Sequence, residues 1–359
     1  MKNVRSTLLS LAALAALATA PGATGAGFID PLDVPAQMSP LAAKSLLQGV
    51  ARAGPRLVAV GQRGHIVYSN DAGATWQQAK VPVSSDLTAV FFASDQKGWA
   101  VGHDGVILMS ADGGITWALQ LDGRRANERL VEHMEHQVAA KPQSAELKGL
   151  LDEAKRSKEQ GADKPFLDVW FADENTGYVV GAYNLIFHTA DGGKNWQPLF
   201  DQTDNPKLLN LYAIRPAADG LYIAGEGGLV LKQDRDTQRF RALSLPYNGS
   251  YFGVVGDKNA VVVFGLRGNV YRSDDGGKAW QKVDAGLPAA VTGGTVLSKG
   301  TIVLADAGGR IALSDDGGRT FKPAPVANPT PISGIADAGN NRLAQVGVRG
   351  ADVAELPSR

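Results

Sequence analysis

The sequence predicts an all-β chain, a seven-bladed β-propeller with a helical hairpin inserted between blades two and three. Three observations predict it. A turn of the form Ser/Thr-x-Asp-x-Gly-x-x-Trp occurs five times, at Ser69–Trp76, Ser110–Trp117, Thr189–Trp196, Ser273–Trp280 and, closed by Phe, Ser314–Phe321. An apolar strand ending in Gly-x-x-Gly or a close substitute recurs seven times, through Gly61, Gly102, Gly181, Gly225, Gly265, Asp306 and Gly347. The spacing of these units falls in the roughly 40–45 residue range of four-stranded propeller blades, apart from one step, Gly102 to Gly181, of about twice that length.

Taken in order, Met1–Ala26 reads as a secretory signal. Lys2 and Arg5 form a basic start, Leu8 to Ala20 is an apolar core too short to span a membrane, and Thr24-Gly25-Ala26 offers small residues for cleavage. The mature chain, 27–359, is then a single domain. In each blade an apolar run such as Ile66-Val67-Tyr68 or Leu185-Ile186-Phe187 leads into the turn, the pattern of a β-hairpin. The carboxylates of Asp71, Asp112, Asp191, Asp275 and Asp316 accept turn amides, and the following glycines supply backbone angles other residues resist. Trp76, Trp117, Trp196, Trp280 and Phe321 bury a large surface at the hairpin base. Catalysis or calcium binding is the competing reading of these aspartates. A site written five times is structural, and this turn is the Asp-box, or BNR repeat. Blade four keeps a decayed copy, Lys232–Phe240. Blade seven has none: its third strand is expected at Ala351–Leu356, with a fourth strand supplied by Phe28–Gln37 to close the ring.

The doubled interval holds the insertion, about Asp122 to Lys164. Leu130, Met134 and Val138 share one helical face, Lys141-Pro142-Gln143 breaks the pattern, and Ser144 caps a second helix, so two antiparallel helices are expected.

Strand order puts the Gly-x-x-Gly tips and the insertion on one face and the Asp-boxes on the other. The tips bear Arg63, Asp104, Tyr183 and Glu226 in blades one to four, then Arg267 and Arg349 in five and seven, with Arg310 just past the tip of six. Blades five, six, seven and one are contiguous in a closed ring, so a basic arc is expected. Arginine suits bidentate contact with carboxylate or phosphate. The arc stands out because 36 Lys and Arg balance 36 Asp and Glu, a net charge of zero that argues against a general nucleic-acid binder. With no cysteine there is no disulfide framework, thiolate chemistry or lipid-bearing Cys.

The unit Leu167–Gly181 with its turn at Asp191, and Leu87–Phe92 leading into Gly98–Gly105, resemble the photosystem II stability and assembly factor family of exported seven-bladed propellers. The resemblance covers nearly all of the mature chain. It implies an accessory protein that assembles or stabilises a membrane complex through an arginine patch, mapped by repeat position onto Arg63, Arg267, Arg310 and Arg349. The insertion and the ordinary secretory signal depart from that pattern, so a bacterial-type, non-photosynthetic member is expected, with photosynthesis a family label.

Asp-boxes also occur in sialidases, and Tyr212-Ala-Ile214-Arg215-Pro216 echoes their Arg-Ile-Pro signature, though in the middle of the chain. Tyr183, Tyr212, Asp104 and Glu226 are the residues a glycosidase reading would use, and no spacing unites them. His133 and His136, beside Glu132 and Glu135, lack the His-Glu-x-x-His spacing of a zinc helix, and His65 and His103 read as surface histidines. The expectation is an exported, periplasmic, peripheral and monomeric scaffold without catalytic residue, metal or cofactor, whose partner is an integral membrane protein or envelope complex. A glycoside hydrolase and an anion-binding module using the central channel are the alternatives.

Overall fold

The computed structural model describes residues 29–326 and 329–357; the expected signal segment lies outside the described residues. Among these residues the strands form seven antiparallel sheets, six of four strands and one of three, with every strand bonded to its neighbour in sequence. The innermost strands are Leu47–Ala53, Leu87–Phe92, Phe166–Phe171, Leu211–Ala217, Tyr251–Gly256, Val291–Val296 and Ile332–Gly339. Each touches the next, and the last touches the first, so the sheets close into a ring. The ring encloses a narrow central cavity of about 170 Å³.

The second strand of each sheet shows why the ring holds. Its side chains alternate between two neighbours. Val58 and Val60 face sheet two, whereas Ala59 faces sheet seven. Trp99 and Val101 face sheet three, whereas Ala100 faces sheet one. Val262 faces sheet six, whereas Val261 and Val263 face sheet four. Both faces of such a strand are covered, so it reads as an unbroken apolar run. At the junction of sheets two and three Trp99 stacks on Phe171, centroids 3.4 Å apart, with Trp196 edge-on to Phe171 at 5.9 Å. Fully burying a Val, Leu, Ile or Phe side chain stabilises by about 1.5–3 kcal/mol. These junctions therefore hold the ring, and the turns set strand register.

Helix α1, Gly123–Ala140, and helix α2, Ala145–Gln160, lie between the outer strand of sheet two and the inner strand of sheet three. Asp122 caps α1 by accepting the Arg125 N–H at 3.0 Å, and Ser144 caps α2 through the Leu147 N–H at 3.2 Å. Asn127 near the start of α1 donates to the carbonyls of Ser157 and Gly161 at the end of α2, so the helices are antiparallel. Leu130, Met134 and Ala154 are buried in the core that also holds Trp196 and Phe200 of sheet three.

The segment expected to complete sheet seven lies elsewhere. Among its described residues, Pro31–Asp33 is a single 3-10 turn. Ala36 N–H donates to the Val81 carbonyl at 3.1 Å and Ser84 N–H to the Pro31 carbonyl at 2.9 Å, so the segment runs along the connection between sheets one and two. Pro31 and Pro35 lack the N–H a strand needs. Asp30 and Asp33 are tied instead to Arg124 of α1, at 2.7 and 2.9 Å. Among the described residues sheet seven keeps three strands, and the ring closes through the contact between its inner strand and that of sheet one.

Candidate partner-binding face

Five of the strand-two-to-three connections are 3-10 turns of three residues: Gln62–Gly64, His103–Gly105, Ala182–Asn184, Glu226–Gly228 and Leu266–Gly268. The apex residue is left-handed, with φ of 55° at Arg63, 56° at Asp104, 52° at Tyr183, 60° at Gly227 and 58° at Arg267. This corrects the sequence reading in sheet four. The apex there is Gly227, and Glu226 stands one place earlier, accepting the Asn210 N–H at 3.2 Å. Gly225-Glu-Gly227-Gly228 aligns with Gly61-Gln-Arg63-Gly64, so Gly227 takes the place of Arg63 and this tip carries no side chain at its apex.

Hydrogen bonds place these tips on one face. The first N–H of each turn reaches the carbonyl just ahead of its own inner strand: Gln62 to Leu46 at 3.2 Å, His103 to Asp86 at 2.8 Å, Ala182 to Pro165 at 3.0 Å and Leu266 to Ser250 at 3.0 Å. The apex N–H then reaches a side chain of the next sheet, Arg63 to Asp86 at 2.6 Å and Tyr183 to Asn210 at 2.9 Å. Each apex side chain is thereby turned outward from a fixed backbone. Sheet six differs, because buried Asp306 replaces the glycine and its Oδ1 accepts the N–H groups of Gly308 and Arg310, both at 2.9 Å. In sheet seven Val348 and Arg349 form a two-residue turn between paired Gly347 and Gly350.

Arg63, Arg267, Arg310 and Arg349 are all exposed, and their guanidinium groups have no ion pair or hydrogen bond among the described residues. They belong to sheets five, six, seven and one, consecutive around the ring. Beside them lie residues that sequence reasoning passed over. Leu266 and Val348 are exposed directly before Arg267 and Arg349. The available signal was an apolar residue immediately preceding an apex arginine. Tyr183, expected at the tip of sheet three, is 56% exposed there, across the ring from the arc. Lys164 sits 5.1 Å above the Tyr183 ring, a cation–π contact. The hairpin starts on this face: α1 touches the His103–Gly105 turn, where Gly105 and Gly123 approach closely enough to exclude side chains.

The Asp-boxes occupy the opposite ends of the strands, and their carboxylates are engaged by the turns they close. Asp112 accepts the N–H groups of Ile115 and Thr116, both at 3.0 Å, the Thr116 hydroxyl at 2.6 Å and the Ser110 hydroxyl at 2.8 Å. Asp71 and Asp316 repeat the arrangement with Thr75 and Thr320, Asp191 with the Asn195 amide, whereas Asp275 keeps the Ser273 hydroxyl and the turn N–H groups but faces Ala279, which has no side-chain donor. The Thr75 hydroxyl and N–H hold the Asp71 pKa down to about 2, and the Asn195 N–H and amide do the same for Asp191. Trp117, Trp196 and Phe321 are buried beside their boxes, whereas Trp76 and Trp280 are half-buried.

The alternative candidates are scattered. Tyr212 lines the channel, Tyr183 and Asp104 sit at tips of different sheets, and Glu226 bonds to backbone. Arg215, of the sialidase-like echo, is held in the channel by Asp168 at 2.6 Å; burial pushes the Asp168 pKa up against the pull of that guanidinium. His133 Nε2 lies 2.7 Å from Asp201 Oδ1 and pins α1 to sheet three. His65 is buried rather than on the surface, against the Ser45 hydroxyl at 3.1 Å, and burial lowers its pKa. His103 is exposed.

The chain matches the family model described as photosynthesis system II assembly factor YCF48 over residues 40–137 and 152–317, with the break inside the helical hairpin. It is similar to the photosystem II assembly lipoprotein Ycf48 of Synechococcus sp. (strain CC9902), 29% identical over 119 residues, 32% of this chain and 35% of that protein. It is also similar to the photosystem II assembly lipoprotein Ycf48 of Prochlorococcus marinus, 34% identical over 136 residues, 37% of this chain and 38% of that one. The matched stretches thus span little more than a third of either relative. Among solved structures, "YCF48 bound to D1 peptide" aligns with TM-score 0.62 at 14% identity over 88% of this chain and 95% of that one. YCF48 from Cyanidioschyzon merolae gives 0.61 at 17% over 89% and 97%. The WD40 β-propeller domain of Doa1 gives 0.62 at only 10% over 92% and 97%, so these likenesses establish a mostly-β propeller fold. The two sequence relatives are photosystem II proteins, which lends nothing to the expectation of a non-photosynthetic member. Family match and propeller fold agree: the chain belongs to the photosynthesis system II assembly factor YCF48 family.

Proposed function

We propose that this protein is an exported, non-enzymatic assembly or stability factor that holds part of an integral membrane protein or envelope complex against its tip face. The seven sheets act as a seven-bladed propeller, the hairpin between blades two and three frames that face, and Arg63, Arg267, Arg310 and Arg349 make the contact. The observation that carries this reading is four exposed guanidinium groups, unpaired among the described residues, from consecutive sheets on one face of a chain with zero net charge. Arginines so placed suit carboxylates of a partner, and the adjoining Leu266 and Val348 suit the apolar part of a protein interface. The family and the D1 peptide named with a related structure support a membrane-protein partner. No described helix is long and apolar enough to cross a membrane, and the 359 residues include no cysteine. In this role the protein is a peripheral periplasmic monomer.

The test uses mature 27–359 as bait in detergent-solubilised envelopes, beside a variant carrying Arg63→Glu, Arg267→Glu and Arg349→Glu. An integral membrane protein retained by the wild type, and reduced at least about tenfold by the variant, is the expected result, a loss of about 1.4 kcal/mol or more. Retention unchanged in a variant that melts like the wild type would sink the tip-face reading.

A further inference from the structure

We propose that the open edge of sheet seven is a second docking site, one that takes an extended peptide segment of a partner protein as its fourth strand. The inference stands on sheet geometry and does not depend on the tip-face reading. The outer strands of the other six sheets are two to four residues long, from Gln77–Gln78 to Ala118–Leu121. Sheet seven instead ends in the six-residue strand Gly350–Glu355, with nothing bonded beyond it among the described residues. Register fixes which groups are free. Gly350 pairs with Gly347 across the turn, and Leu356 N–H donates to the Asn341 carbonyl at 3.0 Å, so the even-numbered residues bond inward. The N–H and C=O groups of Ala351, Val353 and Glu355 therefore point outward. The strand reads Gly-Ala-Asp-Val-Ala-Glu, without the Lys or Pro that commonly blunts an exposed edge.

Charge and direction select the occupant. A fourth strand runs antiparallel to the third in every other sheet, so an added peptide finishes at the tip face. Its C-terminal end arrives beside Arg349 and Lys44, both exposed and neither ion-paired among the described residues. Lys44 lies there because the 3-10 turn Ala42–Lys44 packs on Gly350. The peptide's N-terminal end meets exposed Glu355, at the far end of the strand. The fitting segment is thus extended, basic at its start, alternating in the middle and carboxylate-bearing at its end, a case of β-strand addition. A groove of about 650 Å³ at the tip end of sheet seven reaches the start of the strand, where Lys44, Arg349, Gly350 and Ala351 line it, and receives the peptide's C-terminal residues. A second copy of this chain fits less well, since pairing two such edges lines the shared boundary with Asp352 and Glu355 from both copies.

The probe is the synthetic peptide Lys-Thr-Val-Thr-Val-Thr-Val-Glu with a free carboxylate, set against the charge-reversed Glu-Thr-Val-Thr-Val-Thr-Val-Lys amide. Binding is read by fluorescence anisotropy, and protection of the three outward amides by hydrogen exchange. Val353→Pro removes one outward N–H and leaves the inward ladder intact. The wild type should bind the first peptide at least about tenfold more tightly than the reversed one, and Val353→Pro should lose a similar factor while Val353→Thr retains binding. A thermal melt of each variant separates lost binding from lost fold. No protection of Ala351, Val353 and Glu355 by the peptide, or equal binding by a folded Val353→Pro, overturns the proposal. Protection in the protein alone overturns it too: if independent of concentration it shows that the chain covers its own edge, and if concentration-dependent, that a second copy does. Val353→Pro leaves all four tip arginines in place, and because Arg349 serves both sites the tip face is tested against it with Arg63→Glu and Arg267→Glu alone, so partner capture by the tip face and peptide binding by the edge fail separately.

Discussion

Asp112 shows what one repeated residue contributes. It satisfies two turn amides and two hydroxyls that would otherwise be left to solvent. Asp112→Ala removes a cap-like acceptor and should cost about 0.5–2 kcal/mol, read as a shift in urea midpoint. The same chemistry gives a pH dependence with a definite sign. Asp71 and Asp191 have folded pKa values of about 2, below the ordinary carboxylate value of 3.8. Their contribution is complete above the unfolded pKa and is lost as pH falls through the folded one. The urea midpoint should therefore drop between about pH 4 and pH 2, and Asp191→Asn should flatten that limb. An unchanged acid limb would mean that these turns do not couple to global unfolding. The five aspartates were legible because each repeats with its Gly and aromatic partner. The place of Glu226 was misread because it is the one charged residue of its tip, although the repeat itself aligns Gly227 with Arg63.

At the scale of elements, the hairpin was legible from its caps and its apolar spacing: Asp122, Ser144, Leu130 and Met134 do locally what their types favour. Met134 is fully buried where α1 meets sheet three. Met134→Ala should cost about 2–5 kcal/mol if the hairpin unfolds with the ring. Faster amide exchange confined to α1 and α2, with the global midpoint unmoved, would show instead that the hairpin opens by itself. The strand expected at Phe28–Gln37 came from counting strands, and local chemistry opposed it. Two prolines weaken a strand, and the two aspartates that fix the segment are answered by Arg124, about 90 residues away in sequence. Likewise, Lys44 beside Gly350 joins residues from the two ends of the chain, a proximity no local pattern encodes.

For the whole molecule, a closed ring converts sequence order into spatial order, which is why four arginines far apart in the chain form one arc. Their charge is uncompensated locally although the chain is neutral overall. Partner retention should therefore weaken steeply as salt rises from about 0.01 to 0.15 M, where the screening length falls from roughly 30 to 8 Å. Retention indifferent to salt would point to the apolar residues of the face instead. The clasp of Asp30 and Asp33 on Arg124 also fixes where the chain's ends emerge. Asp30, near the first described residue, lies beside the first turn of α1, on the side of the tips. The other end, at Leu356 and Pro357, bonds to Asn341 in the turn below the inner strand of sheet seven and so departs from the Asp-box side. A tether at the amino end draws the arginine arc toward the surface that holds it. A handle on the carboxyl end leaves that arc facing open solution.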